Sequence, residues 1–447
     1  MKILLVGSDK LDFEYGGGQV YVKNLVAGLL AQQHDASYMS IAFKDISLPQ
    51  RLLISCNNIK ELQLIMPANW RVERNPTGKS YITEEIASVY KELSPDIVHA
   101  HGWEEYSCIA ARQSGITCLI TAHHGGIVCP AGTLLNHRDE ICRIKANPKD
   151  CLPCVLKNIR GGLVTWPLLK IIPLSFRLQL GRLMQKLPFI FYFTPVLQAS
   201  LSIQKEEEEW ETMYTNASLV IAPSQAIADC MKLNGAPANK IKVVPHGIPL
   251  PETSLLTEDK KINKENQPLK FFFVGRICHV KGVHVMLAAF SQLSTNAELH
   301  IIGGAGNKTE ERYMQRLKII SRHNPRIIWH GKVKPPEVNR LITQFDIMVH
   351  PTICLEVFGL NIAEALALGK PVIATRCGGP EMQVEDGVNG WLVKPNNAND
   401  LVEKISYVII HLGEIYRLSD KICQPVSIEE HTKKLLSVYS NNQLLDN

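Results

Sequence analysis

The sequence predicts an α/β fold in which two domains each contain a doubly wound parallel sheet covered by helices on both faces. Short apolar runs typical of buried strands alternate with helical segments along nearly the whole chain, and this alternation is typical of parallel sheets. The chain has 447 residues, whereas a single core stops growing at roughly 250 to 300 residues. A polar segment also separates two series of predicted strands. We therefore expect two domains, each with its own core.

The predicted strands follow one another in two series. The first series is Lys2–Val6, Asp96–His99, Cys118–Ala122, Leu219–Ala222 and Ile241–Pro245. The second series is Lys270–Val274, Leu299–Ile302, Arg326–His330, Asp346–His350 and Pro371–Thr375. Between them, residues 249–268 are rich in Pro, Thr, Asp, Lys and Asn, which predicts an exposed connector.

The N-terminus and the composition exclude several classes of protein. Met1–Gly7 is a short apolar run followed at once by polar residues, which predicts a first strand and not a signal peptide. No apolar run reaches the roughly 18 to 20 residues of a membrane span. The formal net charge of +5 is too small to indicate a nucleic-acid partner. Twelve cysteines spread through predicted strands and helices favour a reducing compartment, so we predict a cytoplasmic protein.

Residues 125–204 interrupt the alternation and are predicted to be an insertion in the first domain. From Cys151 to Gln204 there is no acidic residue, while basic residues are interleaved with Trp, Phe and Leu. This composition suits an anionic membrane interface and predicts a peripheral contact, through residues 159–198, with the inner face of a membrane. A helical insertion packed on the first domain, with its basic side in solvent, is an equally good interpretation.

The strongest functional signal is a pair of glutamates, Glu356 and Glu364, at a predicted strand–loop–helix junction. Such a junction presents unpaired backbone N–H groups, which a diphosphate can occupy. Carboxylates beside a phosphate are expected to point past it and to accept hydrogen bonds from sugar or ribose hydroxyls. Arg276 and Lys281 follow the strand at 270–274 and could neutralise a departing diphosphate. The pattern predicts a nucleotide-sugar site.

The predicted first domain contributes a glycine loop and a group of histidines. Gly16–Gly18 precede a helix and permit close backbone approach to a phosphate or sugar, although this signal is weak alone and lacks the dinucleotide and P-loop spacings. His99, His101, His123 and His124 lie at or just beyond the ends of two strands, where loops face one cleft. We expect His123 to be the functional one.

Together these motifs resemble family 4 of the glycosyltransferases, the retaining, nucleotide-sugar-dependent enzymes with the GT-B fold. The resemblance covers most of the chain and rests on the order and spacing of the motifs. They are Gly16–Gly18, Asp96–His101, Val244–Ile248, Val274–Arg276 with Lys281 and Gly282, Glu356 with Glu364, Gly378–Glu381, and Asp386–Gly390. The sequence departs from the family pattern at His246, where many members carry Asn, and at Gly379–Pro380, which is one residue shorter than the commonest form.

The resemblance implies two Rossmann-like domains that face a central cleft. Residues 1–247 would form the acceptor-side domain, completed by a C-terminal helix at 424–447, and residues 248–423 would bind the donor. His123 and Glu356 are implied to be catalytic. The implied donor-binding residues are Gly17, Gly18, Arg276, Lys281, Phe358, Gly359, Leu360, Asn361 and Glu364. Catalysis would require no metal and no other cofactor, because basic side chains and helix-terminus amides would hold the diphosphate.

A second group of residues is a set of four cysteines, Cys129, Cys142, Cys151 and Cys154. Their spacing, with a Cys-Leu-Pro-Cys knuckle at the end, suits a structural zinc ion in a loop that otherwise lacks a core. Reduced thiols are an equally good interpretation, and disulfides are less favoured in a reducing compartment. We expect no catalytic metal here.

The function expected from these observations is retaining transfer of a hexose from an NDP-sugar to a hydroxyl of a glycan, lipid-linked or small acceptor, in polysaccharide or glycoconjugate synthesis. An NDP-sugar epimerase on the same fold is an alternative from another enzyme class. A non-catalytic partner subunit of a glycosyltransferase is a third, which the presence of Arg276, Lys281, Glu356 and Glu364 disfavours. The donor base, sugar, acceptor and linkage are not readable from the sequence.

Overall fold

The chain forms two compact units, which we call the first and second units. The computed structural model describes residues 1–11, 16–56, 59–71, 78–159, 162–185, 195–252, 255, 267–293 and 297–443. The first unit comprises Met1–His137, Arg143–Pro245 and Glu429–Asn447. The second unit comprises Arg138–Cys142 and His246–Ile428. Of the predicted connector at 249–268, residues 253–254 and 256–266 lie outside the described part of the chain.

The first unit is built on an eight-stranded sheet with the order β3-β4-β2-β1-β5-β6-β7-β8. Its strands are β1 (Lys2–Gly7), β2 (Asp35–Lys44), β3 (Gln50–Cys56), β4 (Ile59–Pro67), β5 (Ile97–Ala100), β6 (Thr117–Thr121), β7 (Leu219–Ala222) and β8 (Ile241–Val243). All neighbouring pairs are parallel except β3 and β4, which form an antiparallel edge. β1 lies in the middle, with Ile3 paired to Ala36 of β2 on one side and to Ile97 of β5 on the other.

The second unit is built on a six-stranded parallel sheet with the order β11-β10-β9-β12-β13-β14. Its strands are β9 (Leu269–Val274), β10 (Ala297–Ile302), β11 (Ile327–Gly331), β12 (Ile347–His350), β13 (Val372–Thr375) and β14 (Gly390–Val393). Phe271 and Phe273 of β9 pack into the core on one face, while Phe272 packs into a second core on the other face. Burial on both faces explains why β9 is apolar at consecutive positions.

The helices of the described residues cover both sheets. They are α1 (Gly17–Ala31), α2 (Gly78–Leu93), α3 (Glu104–Gln113), α4 (Leu152–Lys157), α5 (Gly162–Ile171), α6 (Leu174–Gln185), α7 (Pro195–Asn216), α8 (Gln225–Leu233), α9 (Val283–Gln292), α10 (Lys308–Ser321), α11 (Pro335–Thr343), α12 (Leu360–Ala367), α13 (Ala398–Ile410), α14 (Leu412–Lys421) and α15 (Ile428–Gln443). The predicted class, α/β with two doubly wound parallel sheets, is confirmed.

The last helix, α15, is anchored in the first unit by polar contacts in a buried setting. The hydroxyl of Tyr439 lies 2.7 Å from Nδ1 of His99, and Nε2 of His431 lies 2.7 Å from the hydroxyl of Tyr21. Leu435 and Val438 are also fully buried. These contacts make the C-terminal helix part of the core around β5 and α1.

In its described part, the predicted insertion at 125–204 consists of loop and short turns at 125–151, followed by α4, α5, α6 and the start of α7. Residues 160–161 and 186–194 of the segment at 159–198 lie outside the described residues. They include three of the aromatic residues of that segment, Phe189, Phe191 and Tyr192. In the part of the chain that the structure describes, no helix combines the length and the hydropathy needed to cross a bilayer.

Candidate functional site

The second unit places its predicted site residues where the strand order of its sheet reverses. β9 is the first strand of the sheet, and the chain then runs outward to β10 and β11 before it returns to β12 on the other side of β9. In open α/β sheets ligands bind in the crevice beyond the carboxyl ends of strands at such a point. Arg276 and Lys281 follow β9, while Glu356 and α12 follow β12.

Glycine at position 282 brings the loop after β9 against the loop after β12. Gly282 has a φ of 68°, and a Cβ there would lie 1.9 Å from the carbonyl oxygen of Pro351. The backbone N–H of Ile353 also donates to the carbonyl of Val280 at 2.9 Å. This close approach needs both a left-handed conformation and the absence of a side chain, which glycine alone supplies. It holds Lys281 beside the loop that carries Glu356.

Lys281 and Glu356 form an ion pair between Nζ and Oε2, and both side chains are largely buried. Burial acts to raise the pKa of Glu356, but the charge of Lys281, with a further contribution from nearby His350, outweighs burial and holds this pKa well below its usual range. Burial acts to lower the pKa of Lys281, and Glu356 more than offsets it, so the pKa of Lys281 is raised. The pair is therefore fully ionised at neutral pH.

His350 is a member of this site that sequence reasoning missed. It ends β12, is fully buried, and places Nε2 3.7 Å from Oε2 of Glu356 and 3.0 Å from the hydroxyl of Thr352. Burial lowers its pKa, with Glu356 opposing that effect. The only sequence signal was its position as the last residue of a strand that points into the crevice.

The backbone of Glu356 is fixed by the turn at 378–381. The N–H of Glu356 donates to the carbonyl of Cys377 at 2.7 Å, and the N–H of Gly379 donates to the carbonyl of Glu356 at 2.9 Å. A Cβ on Gly379 would lie 2.4 Å from Cα of Phe358, so only glycine allows this turn to pack here. The turn formed by the Gly378–Glu381 motif thus holds the loop that carries the Glu356 carboxylate in place.

The N-terminus of α12 is tied to the end of β9. Gly359, with a φ of 90°, precedes Leu360, the first residue of the helix, and Asn361 donates from Nδ2 to the carbonyl of Val274 at 2.7 Å. Gln383, which the sequence did not single out, donates from Nε2 to the carbonyl of Phe358 at 2.6 Å. The first N–H groups of a helix have no partners within it and form a binding site for an anion.

Glu364 lies one turn into α12 and keeps part of its exposure to solvent. Burial nevertheless raises its pKa to about 7. No side-chain partner is recorded for its carboxyl group among the described residues. At neutral pH the group is therefore divided between its protonated and ionised forms.

Arg276 lies beside a second glycine loop, at 303–306, that the sequence analysis missed. Its Nε is 3.7 Å from Oε1 of Glu310, and more than half of the side chain is exposed. A Cβ on Gly303 would lie 1.9 Å from the carbonyl of Gly275, and the N–H of Gly306 donates to Glu310 at 2.7 Å. Gly-Gly-Ala-Gly directly after an apolar strand was the available signal.

In the first unit, Gly17 and Gly18 begin α1 and Gly18 approaches His123. A Cβ built on Gly18 would lie 3.5 Å from Cβ of His123. Nε2 of His123 is 2.7 Å from Nδ1 of His101, and its ring is 5.1 Å from the ring of Tyr21. Burial, with smaller contributions from neighbouring histidines, lowers the pKa of His123 to about 3. His123 is therefore a neutral imidazole held in position by a second imidazole.

The four cysteines considered as zinc ligands differ in burial and in the unit to which they belong. Cys129 and Cys151 are buried, whereas Cys142 and Cys154 are partly exposed. Cys142 belongs to the second unit and the other three to the first. Among the residues that the structure describes, no group of three or more His, Cys, Asp or Glu side chains could hold a metal ion.

Comparison with known protein families finds a match in the part of the chain that carries this site. Residues 256–413 match the family described as glycosyl transferases group 1. Arg276, Lys281, Glu356 and Glu364 all fall within the matched segment. The matched segment thus includes β9 to β14 and the crevice between β9 and β12.

Curated relatives of this chain are glycosyltransferases. One is a D-inositol 3-phosphate glycosyltransferase of Xylanimonas cellulosilytica, 31% identical over 196 residues, which are 41% of this chain and 46% of the relative. Another is a putative colanic acid biosynthesis glycosyltransferase, WcaL, of Salmonella typhimurium, 25% identical over 233 residues, which are 51% of this chain and 56% of the relative. The chain therefore spans about half the length of these relatives.

Solved structures extend the likeness to the whole chain at the level of fold. HepE of Anabaena in complex with UDP has a TM-score of 0.66 and 16% identity, covering 99% of this chain and 100% of that one. Sucrose-phosphate synthase of Thermosynechococcus elongatus has a TM-score of 0.67 and 16% identity, covering 99% and 98%. These neighbours are GT-B glycosyltransferases, so the predicted GT-B class is confirmed for the two parallel-sheet units.

Proposed function

We propose that this protein is a retaining glycosyltransferase that moves a hexose from an NDP-sugar to a hydroxyl group of an acceptor. The observation that carries the proposal is the ionised Lys281–Glu356 pair at the carboxyl ends of β9 and β12. It combines a fixed cation for a diphosphate with a fixed carboxylate for sugar hydroxyls. The glycosyl transferases group 1 match over 256–413 supports the same assignment.

The donor would lie across the second-unit site with its diphosphate against Arg276, Lys281 and the N-terminus of α12. These groups would stabilise the charge that grows on the diphosphate as the glycosidic bond breaks. Glu356 would accept hydrogen bonds from hydroxyls of the transferred sugar, because its carboxylate stays ionised. Glu364 would accept hydrogen bonds from the ribose.

In the proposed transfer, an acceptor oxygen forms a bond to the anomeric carbon on the face from which the diphosphate leaves. The bond between that carbon and the diphosphate oxygen breaks, and the leaving diphosphate takes the proton of the acceptor hydroxyl. Atoms and charge balance without a metal or a redox partner. His123 would lie near the reacting sugar as a neutral imidazole and would donate or accept a hydrogen bond without carrying charge.

The donor part of the proposal is tested by titrating UDP-, GDP- and ADP-sugars into the protein by calorimetry. HepE of Anabaena, which shares the fold, has been solved in complex with UDP and with UDP-glucose, which makes UDP-glucose the first donor to test. We expect one donor to bind saturably, and Arg276→Ala and Glu364→Ala to weaken it about tenfold or more. Arg340→Ala and Glu337→Ala, which remove exposed side chains of the same types on α11, should have no effect. Failure of every donor to bind would refute the proposal.

The two alternatives predict different products. An epimerase would convert the NDP-sugar to an isomer in the absence of any acceptor, which chromatography of a donor-only reaction detects. A non-catalytic subunit would bind a donor and release neither NDP nor free sugar with any acceptor. A glycosyltransferase releases NDP in proportion to the glycoside formed, and polysaccharide fragments are suitable first acceptors, because WcaL is named for colanic acid biosynthesis.

We also propose that the insertion brings the enzyme to an anionic membrane surface. Val164, Leu168 and Ile171 of α5 are 82%, 68% and 81% exposed and lie on one stripe of the helix. Phe176 and Leu183 form a similar exposed stripe on α6. Exposed Lys170 and Arg182 supply positive charge on the same two helices. Apolar stripes flanked by cations suit the headgroup region of an anionic bilayer.

Co-sedimentation with lipid vesicles tests this contact. We expect the protein to bind vesicles containing phosphatidylglycerol and to bind phosphatidylcholine vesicles weakly, with binding falling as salt is added. Leu168→Glu should abolish binding, whereas Ile320→Glu, at an equally exposed isoleucine on α10 of the second unit, should leave it intact. Equal binding by both variants would refute the contact and favour a solvated helical insertion.

A further inference from the structure

The first unit contains a cavity that none of the predicted site residues lines. Its volume is about 480 Å³, within the range of roughly 300 to 1,000 Å³ found for small-ligand sites. It lies beyond the carboxyl ends of β1 and β5, which are the strands at the reversal point of the eight-stranded sheet. Residues that follow these strands, Lys10 and Trp103 among them, form part of its wall. This is the position at which an open α/β sheet binds a ligand.

One wall of the cavity is aromatic. The rings of Phe43 and Trp103 are 5.6 Å apart, and the rings of Trp103 and Tyr106 are also 5.6 Å apart in an edge arrangement. Trp103 has a φ of 56°, a left-handed conformation that a bulky residue rarely adopts and that the surrounding structure must maintain. Aromatic faces pack against the C–H faces of ligand rings.

The floor of the cavity is polar and buried. Gln63 of β4 lines the cavity and is only 5% exposed. Beside it, Ser40 of β2 donates to Glu61 at 2.7 Å and is already satisfied. Gln63 offers both a donor and an acceptor, which a ring hydroxyl can pair with simultaneously.

The rim of the cavity is cationic. The guanidinium of Arg71 stands 5.1 Å over the ring of Phe43 and has no carboxylate partner within the described residues. Lys10 adds a second exposed cation. Asp9 is the opposing charge on the rim, and its Oδ2 accepts a hydrogen bond from Nε2 of Gln19 at 2.9 Å. A stacked arginine with an open fork is suited to a phosphate or carboxylate.

We propose that this cavity binds the acceptor and that the acceptor is a sugar ring with an anionic substituent, either a phosphate or a carboxylate. The ring would stack on Phe43 and Trp103, a hydroxyl would pair with Gln63, and the anion would lie against Arg71. Gln19 links Asp9 to the N-terminal turn of α1, where Gly18 meets His123, so an acceptor here would lie at the same edge of the sheet as His123. The assignment of an acceptor rests on the proposed transferase function.

The test measures binding directly and needs no turnover. Saturation-transfer NMR and calorimetry would be performed with glucose 1-phosphate, N-acetylglucosamine 1-phosphate, glucuronate and galacturonate, each with UDP present at saturation. Glucose and inorganic phosphate serve as neutral-ring and ring-free controls. A glucose linked to geranyl diphosphate separates a lipid-linked acceptor from a free sugar phosphate. The variants are Gln63→Leu, which removes the amide at nearly constant volume, and Arg71→Ala, with Lys91→Ala as the charge-matched control on α2.

We expect at least one anionic sugar to bind about tenfold more tightly than glucose and inorganic phosphate do. The affinity for this sugar should fall about tenfold in Gln63→Leu and in Arg71→Ala and should be unchanged in Lys91→Ala. Tighter binding of the geranyl conjugate also supports the proposal and assigns a lipid-linked acceptor. Binding by no member of the set, or binding that survives both variants, overturns the proposal. Inorganic phosphate that binds as well as the sugars overturns the ring site. UDP binding is measured separately, so failure of the donor site and failure of the cavity are distinguishable.

Discussion

Glu364 gives a quantitative prediction about pH. Burial raises its pKa to about 7, and the proposed contact with ribose hydroxyls requires the ionised form. With a pKa of about 7, roughly one tenth of the groups are ionised at pH 6 and roughly nine tenths at pH 8. Apparent affinity scales with the fraction of protein in the binding-competent state. Donor binding should therefore tighten about tenfold between pH 6 and pH 8 and level off above that.

The assay is isothermal titration calorimetry with the intact nucleotide sugar. A nucleotide sugar lacks the terminal phosphate monoester whose own ionisation near pH 6 would complicate a titration with UDP. Titrations at pH 7 in buffers of different ionisation enthalpy should also report release of about half a proton on binding, because roughly half of the Glu364 side chains must ionise. Glu364→Gln should bind more weakly and show no pH dependence in this range, and Glu337→Gln should behave as the wild type does.

Two results would refute the reasoning. If wild-type affinity is constant from pH 6 to pH 8, the carboxyl group of Glu364 does not bind the donor in its ionised form. If Glu364→Gln keeps a tenfold dependence, another group is responsible for it.

Three further predictions follow from the same contacts. The raised pKa of Glu364 stabilises the fold at low pH, and this stability is lost as pH rises through about 7. The melting temperature of Glu364→Gln should therefore rise relative to that of the wild type between pH 5 and pH 8. A difference that stays constant with pH would contradict this. In denaturant titrations, Lys281→Met should lower the free energy of unfolding by about 2 to 3 kcal/mol. This is somewhat below the cost of breaking a fully buried ion pair, because Glu356 keeps some exposure. The double variant with Glu356→Gln should recover part of the loss. His101→Phe should slow transfer about fivefold at an unchanged donor KM, since a neutral hydrogen bond to His123 contributes about 1 kcal/mol, and an unchanged rate would show that the contact is only structural.

The fold was predictable where strands are buried on both faces. All ten predicted strands coincide with observed ones to within a few residues, because continuous apolar runs such as 270–274 are distinct in the sequence. β2, β3, β4 and β14 were missed. Glu61 and Gln63 interrupt the apolar pattern of β4 and are nevertheless buried. Glu61 can be buried because its carboxylate accepts hydrogen bonds from Ser40 and from the N–H of Leu11. Pairing partners of this kind are distant in sequence and cannot be seen in it.

The sequence singled out residues that the fold brings to one edge of the second-unit sheet, but it did not show how they interact. The order of motifs indicated Arg276, Lys281, Glu356 and Glu364, whereas the pairing of Lys281 with Glu356 depends on the approach of two loops at Gly282. His350 was missed because a histidine at a strand end has no distinctive sequence signal. The cavity in the first unit was missed for the same reason as β4, since Gln63 and Ser40 are significant only once β2 and β4 are adjacent.

The charge states in the second unit constrain where a proton can go during the proposed transfer. Glu356 is held ionised chiefly by Lys281, so it has no proton to give to a departing diphosphate. Lys281 is held protonated by Glu356 and is not available as a base for an acceptor hydroxyl. In the proposed transfer, Glu356 would stabilise positive charge on the sugar and Lys281 would stabilise negative charge on the diphosphate, and neither would change its protonation state. In the proposed transfer, the diphosphate oxygen released as the bond breaks would then take the proton of the incoming hydroxyl, which would favour attack from the face it leaves and hence retention.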